Sequence, residues 1–381
     1  MSAERVSVVW DDRFLAYDFG AGHPFTEASR GLAVRLIETV LGPAPGGALA
    51  WVREVPPVET SALLGFHEPA YVARVRAAGD ARDRRPLDAG DTPSFPGCFE
   101  AAARVVGGTV RAARDVLANG RAAFAPAGGL HHAHPGRASG FCIFNDLAVA
   151  LAEALAAGHR TAYVDLDAHH GDGVMYGFYG NGRLLDIDFH QDGRTLFPGT
   201  GRTAEAGTGD GAGLKVNVPL PPRAGDDALL PLARRLLPPL LRDFRPELLV
   251  VQHGVDGHWG DPLARLQYSP AGYAEVDRLL FGLAGEQGSS LLVTGGGGYD
   301  AANVARTLAR TGLLLAGAPL PAATEALPGA WRREFARRTG VEPPSSWAEP
   351  PRLETSSWSR AREDRLVGEL EEALGRRFPP P

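Results

Sequence analysis

Amphipathic stretches alternate with short apolar runs along most of this chain. ASRGLAVRLIETVL, EAAARVVGGTVRAARDVLANG and LAVALAEALAAGH place apolar residues at helical spacing, and short runs such as AAFAPAG and TAYVDLD follow them. That order predicts βαβ units and a parallel sheet. LLDIDFH, LKVNVPL, ELLVVQHG and SLLVTGGGG predict further strands, and AGYAEVDRLLFGLAGEQ and ANVARTLARTGLLLAG further helices. The expected fold class is α/β, a single domain with a central parallel β-sheet flanked by helices. Ligands of such sheets collect at the carboxyl ends of the strands, so Asp165, Asp167, Asp188, His190, Asp256 and the loop after Thr294 are expected to share one crevice.

Glycine and proline concentrate in two loops, 86–97 and 193–213, where the rims of active sites are commonly built. Beyond residue 318 the texture changes. Proline-rich spacers PLPAATEALP and EPPSSWAEPP flank short helical patches, and the charged amphipathic stretch REDRLVGELEEALGRR follows. The expected division is a catalytic body over 1–318 and a C-terminal extension over 319–381, packed on the body or serving as an oligomer contact.

The chemistry concentrates in YVDLDAHHGDG, residues 163–173. If Tyr163 to Asp167 finish a buried strand, alternation puts Asp165, Asp167 and His169 on one side of the backbone. Burying carboxylates without compensation costs several kcal/mol each, so the segment demands cations or tight hydrogen-bond partners. Asp167 and His169, with Asp256 at the end of ELLVVQHGVD, supply three oxygen and nitrogen ligands and no sulfur, which is the open set of a catalytic metal rather than a closed structural one. The plainer alternative is that Asp167 and Asp256 cap the turns after their strands. Asp165 and Asp172 read as carboxylates that orient imidazoles, although Asp165 could equally be a ligand or help to hold a monovalent cation.

Composition narrows the partners. The 381 residues are 44% hydrophobic and 22% charged with a net charge of −6, an ordinary balance that argues against a nucleic-acid partner. Cys98 and Cys142 are too few for a disulfide framework or a thiolate metal site and suit a reducing compartment. MSAERVSVVWDDRF lacks the pattern of a signal peptide and no apolar run is long enough for a bilayer, so the expectation is a cytoplasmic protein without a membrane partner.

Other residues gain meaning beside the ligand set. His131 and His132 stand together in GGLHHAHPGRASGF, and on spacing alone they are a metal clip, a solvated pair, or a base with its electrostatic partner. With three ligands already found elsewhere, a metal-activated water needs a proton acceptor, which favours the last. Tyr299 follows four glycines, where it could reach into a pocket and donate to an oxyanion. Phe141 and Phe197 lie in glycine- and proline-rich loops, as channel walls or as plugs onto the core.

Taken together, GGLHHAHPGRASGFCIFND, YVDLDAHHGDGV, LFPGTG, QHGVDGHWGDPL and GGGGY resemble, in order, the zinc-dependent histone deacetylase family, including bacterial acetoin-utilisation and acetylpolyamine members. The likeness spans nearly all of residues 8–315 and implies an arginase/deacetylase-like α/β fold. It implies zinc on Asp167, His169 and Asp256, with His131 and His132 partnered by Asp165 and Asp172. It makes His132 the general base and then acid, His131 an electrostatic aid, and Tyr299 the oxyanion donor. Gly140, Phe141, Phe197 and Leu263 would line a tunnel for an acyl-lysine-like chain, with Asp91 at its rim. A structural potassium ion would use Asp165, Asp167, His169, Asp188 and Phe189. Pro262 stands where nuclear members carry an arginine for inositol phosphates, and His134 and Pro135 depart from the usual loop. The expected function is removal of acetyl or similar groups from an acylated lysine or a small acylated amine. A non-catalytic binder on the same scaffold and a two-manganese ureohydrolase are the alternatives.

Overall fold

A computed structural model describes residues 6–42, 48–80, 86–88, 90–120, 122–352 and 356–379. The N-terminal MSAER used in the signal-peptide reading, Ala89 of the 86–97 loop and the last two residues of the extension lie outside them.

Among the described residues eight strands form one sheet: β1 (Val6–Val9), β2 (Leu49–Val52), β3 (Ala122–Ala125), β4 (Thr161–Asp165), β5 (Leu184–Gln191), β6 (Lys215–Leu220), β7 (Leu248–Gln252) and β8 (Ser290–Thr294). Their order is β2-β1-β3-β8-β7-β4-β5-β6, and every registered pair is parallel. The helices are α1 (Ala28–Leu41), α2 (Thr60–Leu63), α3 (Pro69–Asp80), α4 (Cys98–Asn119), α5 (Asp146–Ala156), α6 (Asp172–Gly177), α7 (Asp226–Phe244), α8 (Pro270–Gln287), α9 (Ala301–Leu315), α10 (Gly329–Thr339) and α11 (Arg360–Leu374).

Parallel strands covered on both faces must be apolar on both, and the alternation in β4 and β7 shows it. Val164, Leu249 and Val251 join the cluster containing Leu36 of α1, Leu236 of α7, Leu280 of α8 and Leu308 of α9. Tyr163, Leu248 and Val250 join the opposite cluster with Val75 of α3, Val106 of α4 and Leu151 of α5. The result is the three-layer α/β architecture expected from the sequence.

The six strands and five helices expected in the body are all present, with shifted ends, and REDRLVGELEEALGRR supplies most of α11. The hydrophobic pattern does not announce β1 and β2, which are only four residues each. Nor does it announce α7, which contains Pro231, Pro238 and Pro239. Interior prolines remove a donor and clash with the preceding turn. Burial of Leu229, Leu232, Leu236, Leu237, Leu240 and Leu241 along one stripe carries the helix through them.

The C-terminal residues pack into the same core as the body. Trp331, Phe335, Trp347, Leu366, Val367 and Leu370 are buried in one cluster with Leu32 and Leu36. The Trp331 indole donates to the Leu32 carbonyl at 2.8 Å. No described helix is long and apolar enough to cross a membrane.

Candidate active site

The central strands β3, β8, β7, β4 and β5 end at one edge, and the loops that leave them carry most of the chemistry-bearing residues. After β4 and β7, Asp167, His169 and Asp256 converge, all buried, with one potential ligand atom from each lying within 4.8 Å of the others. His169 Nδ1 sits 3.0 Å from Asp167 Oδ1 and 2.9 Å from Asp256 Oδ2. The other oxygen of each carboxylate is anchored. Asp167 Oδ2 accepts from Gln252 Nε2 at 2.9 Å and from the Gly297 amide at 2.7 Å, while Asp256 Oδ1 accepts from the Ala168 amide at 2.7 Å. Gly297 is required here, because a β-carbon would run into Asp256 Oδ2.

The electrostatics of this trio fit a cation. Burial and the neighbouring Asp167 push Asp256 up to about 8. Burial opposes a charged His169, yet hydrogen bonds to Asp167 and Asp256 raise it to about 10. Burial opposes charge on Asp167 too, but His131 and His169 hold it well below the usual carboxylate range, so the crowded acids are compensated by positive charge. A divalent ion offers the same compensation to an oxygen and nitrogen donor set that suits zinc.

Beside the trio, His131 and His132 each rest on a carboxylate. His131 Nδ1 lies 2.7 Å from Asp165 Oδ2, and His132 Nδ1 lies 2.7 Å from Asp172 Oδ1. The two Nε2 atoms are 3.0 Å apart. Burial works against charge on His131, but Asp165 and Asp167 more than offset it and bring the pKa to about 9. For His132, burial and the charge on His131 outweigh Asp172 and leave it at about 4. At neutral pH His131 is therefore an imidazolium donating from both nitrogens, and His132 is neutral with a bare Nε2 that accepts from it. That lone pair is the basic one. Asp172 also accepts from His134 Nε2 at 3.0 Å, which accounts for a histidine in the departing loop.

Asp165 lies beside the trio rather than in it: its Oδ2 faces His131 Nδ1 and accepts from the Tyr163 hydroxyl, and its Oδ1 accepts from the Asp167 amide, while Val164, Leu166 and Ala168 keep the alternate side in the core. His190 likewise stands apart from the trio, its ring against His170 at 5.0 Å. Asp188 comes close to this region: its Oδ2 accepts from the Gly171 amide at 2.6 Å, while its Oδ1 is buried without a hydrogen-bond partner. Phe189, next in β5, is buried in the core.

Aromatic residues frame the approach. Phe197 packs edge-on to His132 with ring centroids 5.1 Å apart, and Phe141 packs on Tyr299 at 5.9 Å. Tyr299 stands edge-on to His169 at 6.4 Å, and burial holds its hydroxyl well above the usual tyrosine range, so it stays protonated. A β-carbon at Gly140 would strike the His132 ring. Phe197 and Leu263 are exposed, at 44% and 40%, as residues at a mouth would be. Asp91 is exposed on the adjoining loop, with burial and nearby Asp88 raising it to about 6.

Sequence reasoning missed the residues that hold this frame. Phe141 adopts φ +66°, a left-handed conformation costly for a bulky residue. Its amide donates to Thr92 Oγ1 at 3.0 Å and its carbonyl accepts from the Tyr17 hydroxyl at 2.7 Å. Gln252, Arg30 and Asp261 were also not singled out: Gln252 donates to Asp167, Arg30 donates to the Gly296 carbonyl, and Asp261 accepts from the Tyr299 amide. A cavity of about 630 Å³ between α2, α4 and α5 contains none of this chemistry, and its Arg111 and Arg114 are already paired with Asp115 and Glu153.

A parallel α/β sheet delivers two acids and an imidazole that could hold a metal ion, beside a carboxylate-backed histidine pair. The model of the histone deacetylase domain matches residues 26–315, and the chain belongs to the histone deacetylase family. It is 36% identical over 356 residues to the acetoin utilization protein AcuC of Bacillus subtilis (strain 168), covering 91% of this chain and 90% of that one. AcuC of Staphylococcus xylosus is 32% identical over 362 residues, covering 91% of both. The crystal structure of the HDA15 HD domain superposes with a TM-score of 0.75 at 28% identity, over 82% of this chain and 91% of that one.

Proposed function

We propose that this chain is a zinc-dependent amidohydrolase that removes acetyl or similar acyl groups from acylated lysine or small acylated amines. The observation that carries the reading is the buried Asp167, His169 and Asp256 trio set beside a histidine pair in which each ring is backed by its own carboxylate. Asp167, His169 and Asp256 would hold a zinc ion, which would supply Lewis acidity to the amide carbonyl and make the attacking water easier to deprotonate. His132, neutral at Nε2, takes the proton from the attacking water and returns it to the leaving amine. His131, charged, stabilises negative charge in the site, and Asp165 keeps it charged. Tyr299 keeps its proton and donates to the oxyanion developing at the acyl carbon. Gly140, Phe141, Phe197 and Leu263 guide the acyl chain, and Asp91 meets the substrate at the rim.

The same reading assigns a potassium ion to Asp165, Asp167, His169, Asp188 and Phe189. Its support is the buried Asp188 Oδ1 left without a partner, in a carboxyl that burial and Asp165 hold well above its ordinary range. It places the chain in the cytoplasm, consistent with two free buried cysteines. It divides the chain into a catalytic body to residue 318 and an extension that braces it. An acetylpolyamine substrate is the second reading, favoured by the paired rim carboxylates Asp88 and Asp91, which suit a cationic amine.

The test is acyl release by the zinc-loaded full chain, compared on acetyl-lysine peptide, acetylputrescine and acetylspermidine, with metal content measured on the same sample. Turnover that needs about one metal per chain supports the proposal. Absence of turnover across the panel with zinc bound ends it, and tight binding without turnover would make the chain a non-catalytic binder.

A further inference from the structure

Four glycines precede Tyr299, and Gly298 has φ +127°. A segment without side chains has little of its own to immobilise the tyrosine. Placement therefore has to come from a neighbour, and the neighbour is the loop after β7. Asp261 Oδ2 accepts from the Tyr299 amide at 2.9 Å. The other oxygen accepts from the Leu263 amide at 2.8 Å and the Ala264 amide at 3.3 Å. The Asp261 amide in turn donates to the His258 carbonyl at 2.9 Å, and the Val255 amide donates to the Gly297 carbonyl at 2.8 Å. With the His253 amide also donating to the Gly295 carbonyl at 3.0 Å, the two loops are joined along the glycines and at Tyr299 itself, where Asp261 makes the join.

We infer that Asp261 is a positioning residue whose one carboxylate fixes the backbones of Tyr299 and Leu263 relative to each other. It touches neither the metal trio nor the histidine pair through any hydrogen bond. It acts by presenting charge to three backbone donors, and charge-assisted bonds of this kind are stronger and geometrically tighter than neutral ones. Its consequence is that the hydroxyl donor and the mouth residue move as one unit. This inference rests on the proposed role of Tyr299, and a readout independent of turnover separates the two.

The first measurement is amide hydrogen exchange on the full chain, comparing wild type with Asp261→Ala and with Asp261→Asn, which keeps one acceptor oxygen. Peptides covering 261–266 and 295–303 should exchange at least about 10-fold faster in Asp261→Ala, with β4 peptides unchanged. Asp261→Asn should release fewer of the three amides, and it serves if the alanine variant does not fold. The second measurement is a kinetic cycle on an acetyl-lysine peptide. Tyr299→Phe should lower kcat by about 10²–10³-fold, and Asp261→Ala by about 10–100-fold through misplacement. The double variant should stay within about threefold of Tyr299→Phe, because a lost hydroxyl cannot be misplaced. Unchanged exchange at both segments, or fully multiplicative losses in the cycle, overturns the inference. A wild type without turnover ends the deacylase reading, and the exchange result still decides Asp261.

Discussion

Replacing Asp172 with asparagine isolates one charge. Asp172 is 4% exposed, and its carboxylate faces His132 Nδ1 at 2.7 Å through one oxygen and His134 Nε2 at 3.0 Å through the other. An asparagine can keep its carbonyl toward His132 while its amide group takes the place of the oxygen that faces His134. Geometry and the His132 tautomer survive, and only the negative charge goes. A hydrogen bond to a charged group contributes about 1.5–3 kcal/mol, and unit charges about 4 Å apart at an effective dielectric near 20 interact by about 4 kcal/mol. The loss of transition-state stabilisation should lie at about 2–4 kcal/mol, or roughly 30–1000-fold in kcat/KM at about 1.4 kcal/mol per decade. The assay is kcat/KM for release of acetate from an acetyl-lysine peptide at matched metal content. Melting temperature and metal stoichiometry should not change. A variant within about threefold of wild type would refute His132 as the proton carrier backed by Asp172.

Three further outcomes follow from the same geometry. The acid limb of kcat/KM should belong to His132, which must be unprotonated and sits at about 4, and the alkaline limb to His131, which must be protonated and sits at about 9; a bound divalent cation shifts both limbs to lower pH, and activity still rising above pH 9 contradicts the assignment. Glu27 is 1% exposed with neither carboxylate oxygen hydrogen-bonded, and burial, only partly offset by Arg30, raises it from 4.5 to about 8. Its contribution to stability is full below pH 4.5 and lost as pH rises through about 8, so Glu27→Gln should melt near wild type at pH 5 and higher at pH 9; equal shifts at both pH values would refute this. Trp331→Ala removes a side chain 2% exposed that also donates to Leu32, at a cost of about 3–5 kcal/mol in denaturant unfolding; a loss under about 1 kcal/mol would show that the extension does not brace the body.

What could be read from the sequence divides by the kind of interaction. Helices and strands that bury a stripe or both faces were legible because periodicity reports burial directly, and Asp167, His169 and Asp256 were legible because acids at the ends of apolar strands need compensation. Alternation held past the strand end, with Val164, Leu166 and Ala168 all in the core on one side, but it left open whether Asp165 joins the ligands or backs an imidazole, and only the fold brings His131 to it. Thr92, Tyr17 and Asp261 were illegible for a different reason. Each works on backbone amides and carbonyls of a distant loop, and a backbone group has the same chemistry at almost every position. Phe141 makes the case most sharply. Nothing in SGFC says that a phenylalanine will hold φ +66°, because the hydroxyls that hold it belong to Tyr17, 124 positions away, and Thr92, 49 positions away. A ring set by two other loops should therefore respond to changes far from it: Tyr17→Phe removes both the donor to the Phe141 carbonyl and the acceptor of the Ile143 amide while keeping the packed ring. It should raise KM for acyl substrates by several-fold, on the order of 0.5–1.5 kcal/mol for each of the two neutral hydrogen bonds. An unchanged KM would mean that Thr92 alone suffices to hold the turn.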